Sequence, residues 1–511
     1  MILEEVRKIM LPLLKSAETR RVQATPLLDQ SKRGKLGQYM TPEEVARLLP
    51  TFFSNADDQV RLLDAGAGVG SLTAAFIDQL NESNEVFSID ILACEIDTLL
   101  RQYLIETIAD CREWCESSEI QFTSNVVSES FIEYAIKRIH SNSRVKDPVL
   151  FNRIILNPPY SKVGAKSKER LLCQKVGVDS GNLYSLFVGL ALKLLAPKGE
   201  LVAITPRSFC NGPYFRAFRE QIFTEAHLEK LHVFESRTQS FKGDDVLQEN
   251  IIFKLTKNSQ DVVEISKSHS ADSEDITLIT LPKDDVIYPN DPNKFVHIIT
   301  STEEKRIAKQ IGQLPNSLSD LGIDASTGRV VDFRATEFTS SNPKTGYVPL
   351  IYPSHLKNGS VNWPLEGFKR PNAILDSEKS KKLLVPNGVY VVTRRMSSKE
   401  EPRRVVASIY DGRLFDFENV GFENKTNFFH SNFKPLKTEL AFGIYAFISS
   451  DLVDAYFRMF NGHTQVNATD LRFLRYPSSD KLFELGSKVI RLKKRDMMEI
   501  DRLVRDVISN P

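Results

Sequence analysis

Asn157, Pro158, Pro159 and Tyr160 stand in a row directly after an apolar run, in the stretch RIILNPPYSK (153–162). Proline fixes its own φ and carries no N–H, so the pair ends a strand in a rigid turn whose carbonyl oxygens can accept hydrogen bonds. An exocyclic amino group set against that turn would find one acceptor for each N–H: the side-chain oxygen of Asn157 and the carbonyl of Pro158. Its lone pair, otherwise conjugated into a base ring, then gains nucleophilic character and can be aimed at a methyl donor. Such chemistry needs positioning and fixed dipoles but no covalent intermediate. Tyr160 would stack on the ring. The plainer alternative is a strand-ending turn with a packed tyrosine.

Upstream, LLDAGAGVGSLTAAF places Gly66, Gly68 and Gly70 between a strand and a helix. Glycine allows the tight turn and close approach of backbone to a ligand, but phosphate, dinucleotide and S-adenosylmethionine sites all use such a turn. The next strand ends in ILACEID, with Glu95 placed 25 positions after Gly70. A carboxylate there can accept both ribose hydroxyls of a nucleoside-like cofactor, and Ile96 can lie against an adenine ring. Asp97 has the alternative role of a helix N-cap. These two segments alone leave a NAD enzyme open.

Alternating elements must position these residues. From about residue 60 to 255, short apolar runs (QVRLLDAG, EVFSIDILACEID, EIQFTSNVV, RIILNPPY, ELVAITP, KLHVFES, ENIIFKL) alternate with stretches of helical spacing, which implies a parallel sheet with helices on both faces. The last two runs are separated by too few residues for a crossover helix and are expected to pair antiparallel. Residues 256 to 300 read as a polar connector. Beyond about 310, short segments such as GYVPLIYPSHL, KLLVPNGVYVVTRRM, RRVVASIYDGRLFDF and GIYAFISS predict a second, mostly β domain closed by a helix over 481–511.

At 511 residues two domains are the natural expectation, and 41% hydrophobic with 26% charged residues is ordinary globular usage. The N-terminal MILEEVRKIMLPLLKSAETRR reads as an amphipathic helix, not a signal peptide, and no apolar run approaches the ~20 residues needed to span a bilayer, so a cytoplasmic location without membrane contact is expected. Five cysteines without CxxC pairs argue for reduced, buried thiols and against a zinc site, and no metal is expected. A net charge of +1 leaves nucleic-acid binding to local charge.

The ordered set GQYMTP (37–42), LLDAGAGVGSL (62–72), CEID (94–97) and NPPY (157–160), followed by a long C-terminal region, resembles the gamma-group N6-adenine DNA methyltransferases of restriction-modification systems. The segments LGQYMTP, VFESRTQSFKGDDVLQENIIF and STGRVVDFRA resemble the PstI/BsuBI type of modification methylase. The resemblance implies an α/β fold: a Rossmann-like S-adenosylmethionine-dependent catalytic domain (51–300) after an N-terminal helical region with a cofactor-closing motif (1–50). A mostly β target recognition domain (301–480) and a C-terminal helix (481–511) follow, with double-stranded DNA held between the catalytic and recognition domains. It implies that Tyr39, Thr41 and Pro42 close over the methionine end of S-adenosyl-L-methionine, that Asp64, Gly66 and Gly68 line its loop, and that Glu95 and Ile96 hold ribose and adenine. Asn157, Pro158, Pro159 and Tyr160 would receive the target base, with Phe241 as a second aromatic. Where the family usually carries an Asp after the third strand, VVSESFIEY offers Ser130 as the best-matching position.

An adenine must leave the duplex to reach such a pocket, at a cost of a few kcal/mol that DNA contacts have to supply. Between Glu366 and Arg404 there are ten Lys or Arg and five acids, among them Lys369, Arg370, Arg394, Arg395, Arg403 and Arg404, an excess suited to phosphate or guanine. Lys162, Lys166, Lys168 and Arg170 suggest a basic mobile loop beside NPPY. The expected activity is adenine-specific DNA methylation, with a separately acting cognate endonuclease as partner. The alternatives are a methyltransferase for protein glutamine or RNA guanine N2, a cytosine N4 methyltransferase, and an inactive DNA-binding specificity subunit. A fused nuclease built on Asp416, Glu423 and Lys425 is a further one.

Overall fold

The structure, a computed structural model, describes residues 12–28, 39–54, 58–80, 86–146, 148–235, 249–273, 275–397, 401–461, 464–492 and 495–509. The chain divides into two compact units, Met1–Thr300 and Ser301–Pro511.

The first unit is built on strands β1 (Gln59–Ala65), β2 (Ser88–Cys94), β3 (Gln121–Val127), β4 (Phe151–Leu156), β5 (Leu195–Pro206), β6 (His227–Phe234), β7 (Asn250–Thr256), β8 (Val262–Ser268) and β9 (Ile276–Pro282). They form one sheet in the order β3-β2-β1-β4-β5-β7-β6-β8-β9. β1 to β5 run parallel, and β7 lies antiparallel between β5 and β6, as the short link between the last two apolar runs requires. Residues 256 to 300 are more than a connector: β8 pairs parallel with β6 and β9 antiparallel with β8. Their alternating polar residues are what an outer pair of strands needs, since one face meets solvent.

Helices α1 (Pro12–Ala24), α2 (Glu43–Leu48), α3 (Ser71–Leu80), α4 (Thr98–Ser117), α5 (Phe131–Asn142), α6 (Lys168–Gln174), α7 (Leu183–Leu194) and α8 (Arg216–Glu225) accompany this sheet. α1 buries Leu13, Leu14 and Ala17 in the same apolar cluster as Val60 and Ile89. Its first turn is received by Asp78, whose carboxylate accepts from the N–H groups of Leu13 (3.3 Å) and Leu14 (2.8 Å). The sheet order reverses between β1 and β4, so the loops leaving these two strands diverge and open a crevice at their carboxyl ends.

The second unit holds a six-stranded and a five-stranded sheet among its described residues, with cores around Tyr390, Tyr410, Phe422 and Phe428 and around Val348, Leu350 and Ile374. Helices α9 (Thr302–Gly312), α10 (Thr438–Ser449), α11 (Asp451–Phe460), α12 (Ala468–Phe473), α13 (Ser479–Ile490) and α14 (Met497–Ser509) complete it. GIYAFISS, expected as a β segment, is instead the body of α10, buried from Ala441 to Ser449. A short apolar run has no period that separates a buried strand from a buried helix. The single closing helix is in fact two, α13 and α14. No single described helix is long and apolar enough to cross a membrane; the bent pair α10 and α11 passes by length and composition together. The five cysteines are free and buried.

Candidate active site

The turn after β1 is held open by its glycines. Gly66, Gly68 and Gly70 have φ of 84°, 58° and 88°, and the N–H groups of Gly66 and Ala67 donate to the Cys94 carbonyl at 3.0 and 2.9 Å, which docks this turn on the end of β2. A Cβ on Gly70 would sit 3.0 Å from both Leu104 Cδ1 and Thr107 Cγ2, so that glycine serves helix packing while Gly66 and Gly68 face a cavity of about 380 Å³.

Glu95 follows β2 and lines the cavity. Its Oε2 accepts from Gly68 N–H and its Oε1 from Asp97 N–H, both at 2.8 Å. Burial outweighs these bonds and pushes its pKa up to about 7. Each oxygen retains a further lone pair for a hydroxyl donor. Ile96 lines the same wall and is 56% exposed. Asp97 caps α4, accepting from the N–H groups of Leu99 and Leu100, which settles its role as structural.

Asn157 closes β4. Its amide nitrogen donates to the Tyr39 carbonyl (3.2 Å) and to Thr41 Oγ1 (3.0 Å), and its Oδ1 accepts the Tyr160 hydroxyl at 2.8 Å. A carbonyl cannot donate, so the Tyr39 contact fixes which end of the amide is nitrogen. The side-chain oxygen is thereby turned toward Tyr160, with one lone pair to spare. Tyr160 also reaches the Ile204 carbonyl (3.3 Å) and stands edge-on to Tyr184 at 6.2 Å; burial holds its hydroxyl well above the usual phenol range. Tyr39, Thr41, Asn157 and Pro159 line the cavity. Pro158 is buried, and Pro42 starts α2, whose N–H groups at Val45 and Ala46 donate to its carbonyl.

Asp64 stands behind the cavity wall. It is fully buried, accepts from Thr73 Oγ1 at 2.7 Å, and burial pushes its pKa up to about 7; its contribution is to hold the glycine turn against α3. Ser130, at the start of α5, reaches the cavity, and its hydroxyl makes no cap bond to the helix. Sequence reasoning missed the apolar walls, which come from Met40, Leu72, Phe131, Ile132 and Phe187. It also missed Glu133 and Lys168, cavity residues joined by a 2.6 Å ion pair. Phe241 lies outside the described residues.

The segment after NPPY is folded rather than an open loop. Lys162 bridges Asn182, Val163 N–H donates to the Gly181 carbonyl, and Arg170 of helix α6 is paired with Asp179 beyond it. In the second unit several basic residues are already committed. Arg404 is fully buried, donating to Ser397 and to Asn461 Oδ1, which removes it from the surface basic set. Arg403 pairs with Asp501 at 2.6 Å. Arg394 donates to the Leu356 carbonyl and Arg395 to the Asn424 carbonyl, both half-buried. Glu423 is buried with its carboxylate on Lys425 N–H, a loop-forming contact rather than an open metal ligand.

The lining of the cavity fits S-adenosyl-L-methionine. A buried carboxylate with spare lone pairs suits the ribose diol, apolar and aromatic walls suit the adenine, and a turn of positive-φ glycines admits a ligand against the backbone; the volume falls within the range of small-molecule sites. Glu95 and Ile96 would hold the nucleoside, and Tyr39 and Thr41 would border the remainder.

Comparison with known proteins identifies relatives of the whole chain. The family described as Eco57I restriction-modification methylase matches residues 81–241, the stretch that carries Glu95, Asn157 and Tyr160. The type II methyltransferase M.PstI of Providencia stuartii is 45% identical over 489 residues, 95% of this chain and 94% of its own. M.BsuBI of Bacillus subtilis is 42% identical over 509 residues, 98% and 99% of the two chains. In fold, the type IIL restriction-modification enzyme MmeI, solved with DNA, aligns with a TM-score of 0.54 at 12% identity, covering 100% of this chain and 75% of its own. The chain belongs to the type II DNA methyltransferases of restriction-modification systems, whose methyl donor is S-adenosyl-L-methionine.

Proposed function

We propose that this methyltransferase acts on the exocyclic N6 of an adenine at one short sequence in double-stranded DNA, as the modification half of a pair whose endonuclease is a separate chain. The observation that carries the reading is the Asn157 amide on the cavity wall, held by Tyr39 and Thr41 so that its oxygen meets the Tyr160 hydroxyl. Asn157 Oδ1 and the Pro158 carbonyl accept the two N–H bonds of the target amine. Both acceptors strengthen as positive charge develops on that nitrogen during attack, so they favour the transition state over the ground state. The bound cofactor supplies an electrophilic methyl group. Tyr160 serves twice: its hydroxyl orients Asn157 and its ring gives the base a stacking face. Arg394, Arg395 and Lys162 are the DNA-contacting residues of this reading, and Lys162 is exposed two positions after Tyr160.

Expression in a host without DNA methylation, followed by modification-sensitive long-read sequencing, tests it. N6-methyladenine recurring at one short sequence is the expected result. N4-methylcytosine at the recurring site, or unmodified DNA alongside methylated RNA or protein, overturns it.

A further inference from the structure

On the loop after β5 the surface carries an aromatic ring that the reaction so far does not use. Tyr214 is 86% exposed. One exposed ring is ordinary on a protein surface; what distinguishes this one is how its loop is built. The next residue, Phe215, turns inward and stacks on Tyr184 at 5.4 Å, and Tyr184 stands edge-on to Tyr160 at 6.2 Å. The loop is therefore joined to the NPPY turn by a continuous row of rings. It is also braced from below. Arg219 is fully buried, and its guanidinium donates to the carbonyls of Phe209 (2.7 Å), Gly212 (2.9 Å) and Asn293 (2.7 Å). Burying an arginine costs several kcal/mol unless it is hydrogen-bonded, and here two of its bonds, to the Phe209 and Gly212 carbonyls, hold the segment that leads into Tyr214. Phe215 N–H closes the turn on the Gly212 carbonyl at 3.0 Å.

Two exposed cations belong to the same two segments. Arg216 is exposed at the start of α8, and Lys162 is exposed on the segment that leaves NPPY and pairs with Asn182 and Leu183, next to Tyr184. An exposed ring on a braced loop, joined through Phe215 and Tyr184 to the NPPY turn and accompanied by two exposed cations, suits a duplex from which one base has been removed: a stacking face for the gap and positive charge for the flanking phosphates.

We propose that Tyr214 enters the DNA stack and occupies the place vacated by the target adenine, with Lys162 and Arg216 on the adjoining phosphates. Tyr214 thereby favours the extruded state of the base and takes no part in methyl transfer. This rests on the adenine reading above.

The test uses the full chain and two duplexes that carry the sequence it methylates, one with the target adenine paired and one with an abasic site opposite it, so that extrusion has little to overcome. Tyr214→Ala is expected to slow single-turnover methylation of the paired duplex by about tenfold or more, within the range of one base–aromatic stack. On the abasic duplex it should come within about threefold of wild type. Tyr214→Phe keeps the stacking face and should match wild type on both. S-adenosyl-L-methionine affinity, measured by calorimetry, should be unchanged in both variants. A Tyr214→Ala enzyme that equals wild type on paired DNA, or is slowed equally on both duplexes, overturns the wedge while the adenine reading stands. Wild-type enzyme that places no methyl group on the adenine of either duplex overturns that reading and the wedge with it.

Discussion

The Tyr160 hydroxyl donates to Asn157 Oδ1 at 2.8 Å, while the amide nitrogen of the same asparagine is shared between the Tyr39 carbonyl and Thr41 Oγ1. The residue proposed to accept the target amine is thus fixed at both ends before any substrate arrives. Preorganisation of this kind predicts graded losses. Asn157→Ala should lower kcat by about 10² to 10³, the effect of deleting one acceptor aimed at developing charge. Tyr160→Phe keeps the ring and loses one hydrogen bond of about 1 kcal/mol, so about a fivefold loss is expected. Tyr160→Ala should fall well below Tyr160→Phe. Single-turnover rates with saturating cofactor separate the three, and equal rates for Phe and Ala at position 160 would remove the stacking role.

Glu95 predicts a pH dependence for cofactor binding. Burial raises its pKa to about 7, and as the proposed ribose ligand it would accept the hydroxyls in its ionised form. Below that pH the free protein holds a proton that binding must expel. Affinity should therefore rise about tenfold per pH unit up to about pH 7 and then level off. For folding without cofactor the sign is opposite: a raised carboxyl pKa contributes stability below the unfolded value that is lost as pH rises through about 7. Calorimetric titration across this window checks the binding arm. Glu95→Gln should bind more weakly at high pH and lose the slope.

Helices α10 and α13 meet backbone to backbone through Gly443 and Gly486. A Cβ on Gly443 would lie 2.0 Å from the Leu482 carbonyl oxygen, and one on Gly486 would lie 1.7 Å from that of Glu439. Alanine in a helix is otherwise favoured over glycine by about 1 kcal/mol. Overpacking costs about 1–3 kcal/mol or more, and here the opposing atoms are backbone that cannot rotate away, so the clash wins. Gly443→Ala should lower the Tm of the second unit by several degrees in a thermal melt, whereas alanine at Gly312, which has open space, should not.

What the sequence made legible was local. NPPY, the glycine turn and the carboxylate after β2 are contiguous strings whose residue types are tied to a backbone shape or a hydrogen-bonding task. The cavity walls were hidden because Phe131, Ile132 and Phe187 sit on helices whose other buried positions are plain core, and nothing in an apolar pattern says which neighbour is a ligand. The Glu133–Lys168 pair joins separate helices, and only the fold brings them together. Asp64 reads like a cofactor residue because it borders the glycine turn, yet it faces Thr73 and α3. Charge was the least legible signal. Lys369 is exposed and Arg404 is fully buried, although both stand in the same basic stretch.

That contrast gives the last prediction. Arg404 donates to Ser397 and Asn461, and Asn461 in turn donates to the buried Asp470 that caps α12 together with Asn467. Removing the guanidinium strands these acceptors in the interior, at about 1–3 kcal/mol for each group left unmet. Arg404→Ala should therefore appear as a loss of Tm and of soluble yield. Lys369→Ala should leave Tm within about a degree, in line with substitutions at exposed sites. If the exposed members of the basic stretch meet phosphate, it should also reduce the slope of log affinity against log salt by about one, uniformly across DNA sequences. An unchanged slope for Lys369→Ala would take that side chain off the DNA. A stable Arg404→Ala protein with weakened DNA binding would mean that the buried network opens to the duplex.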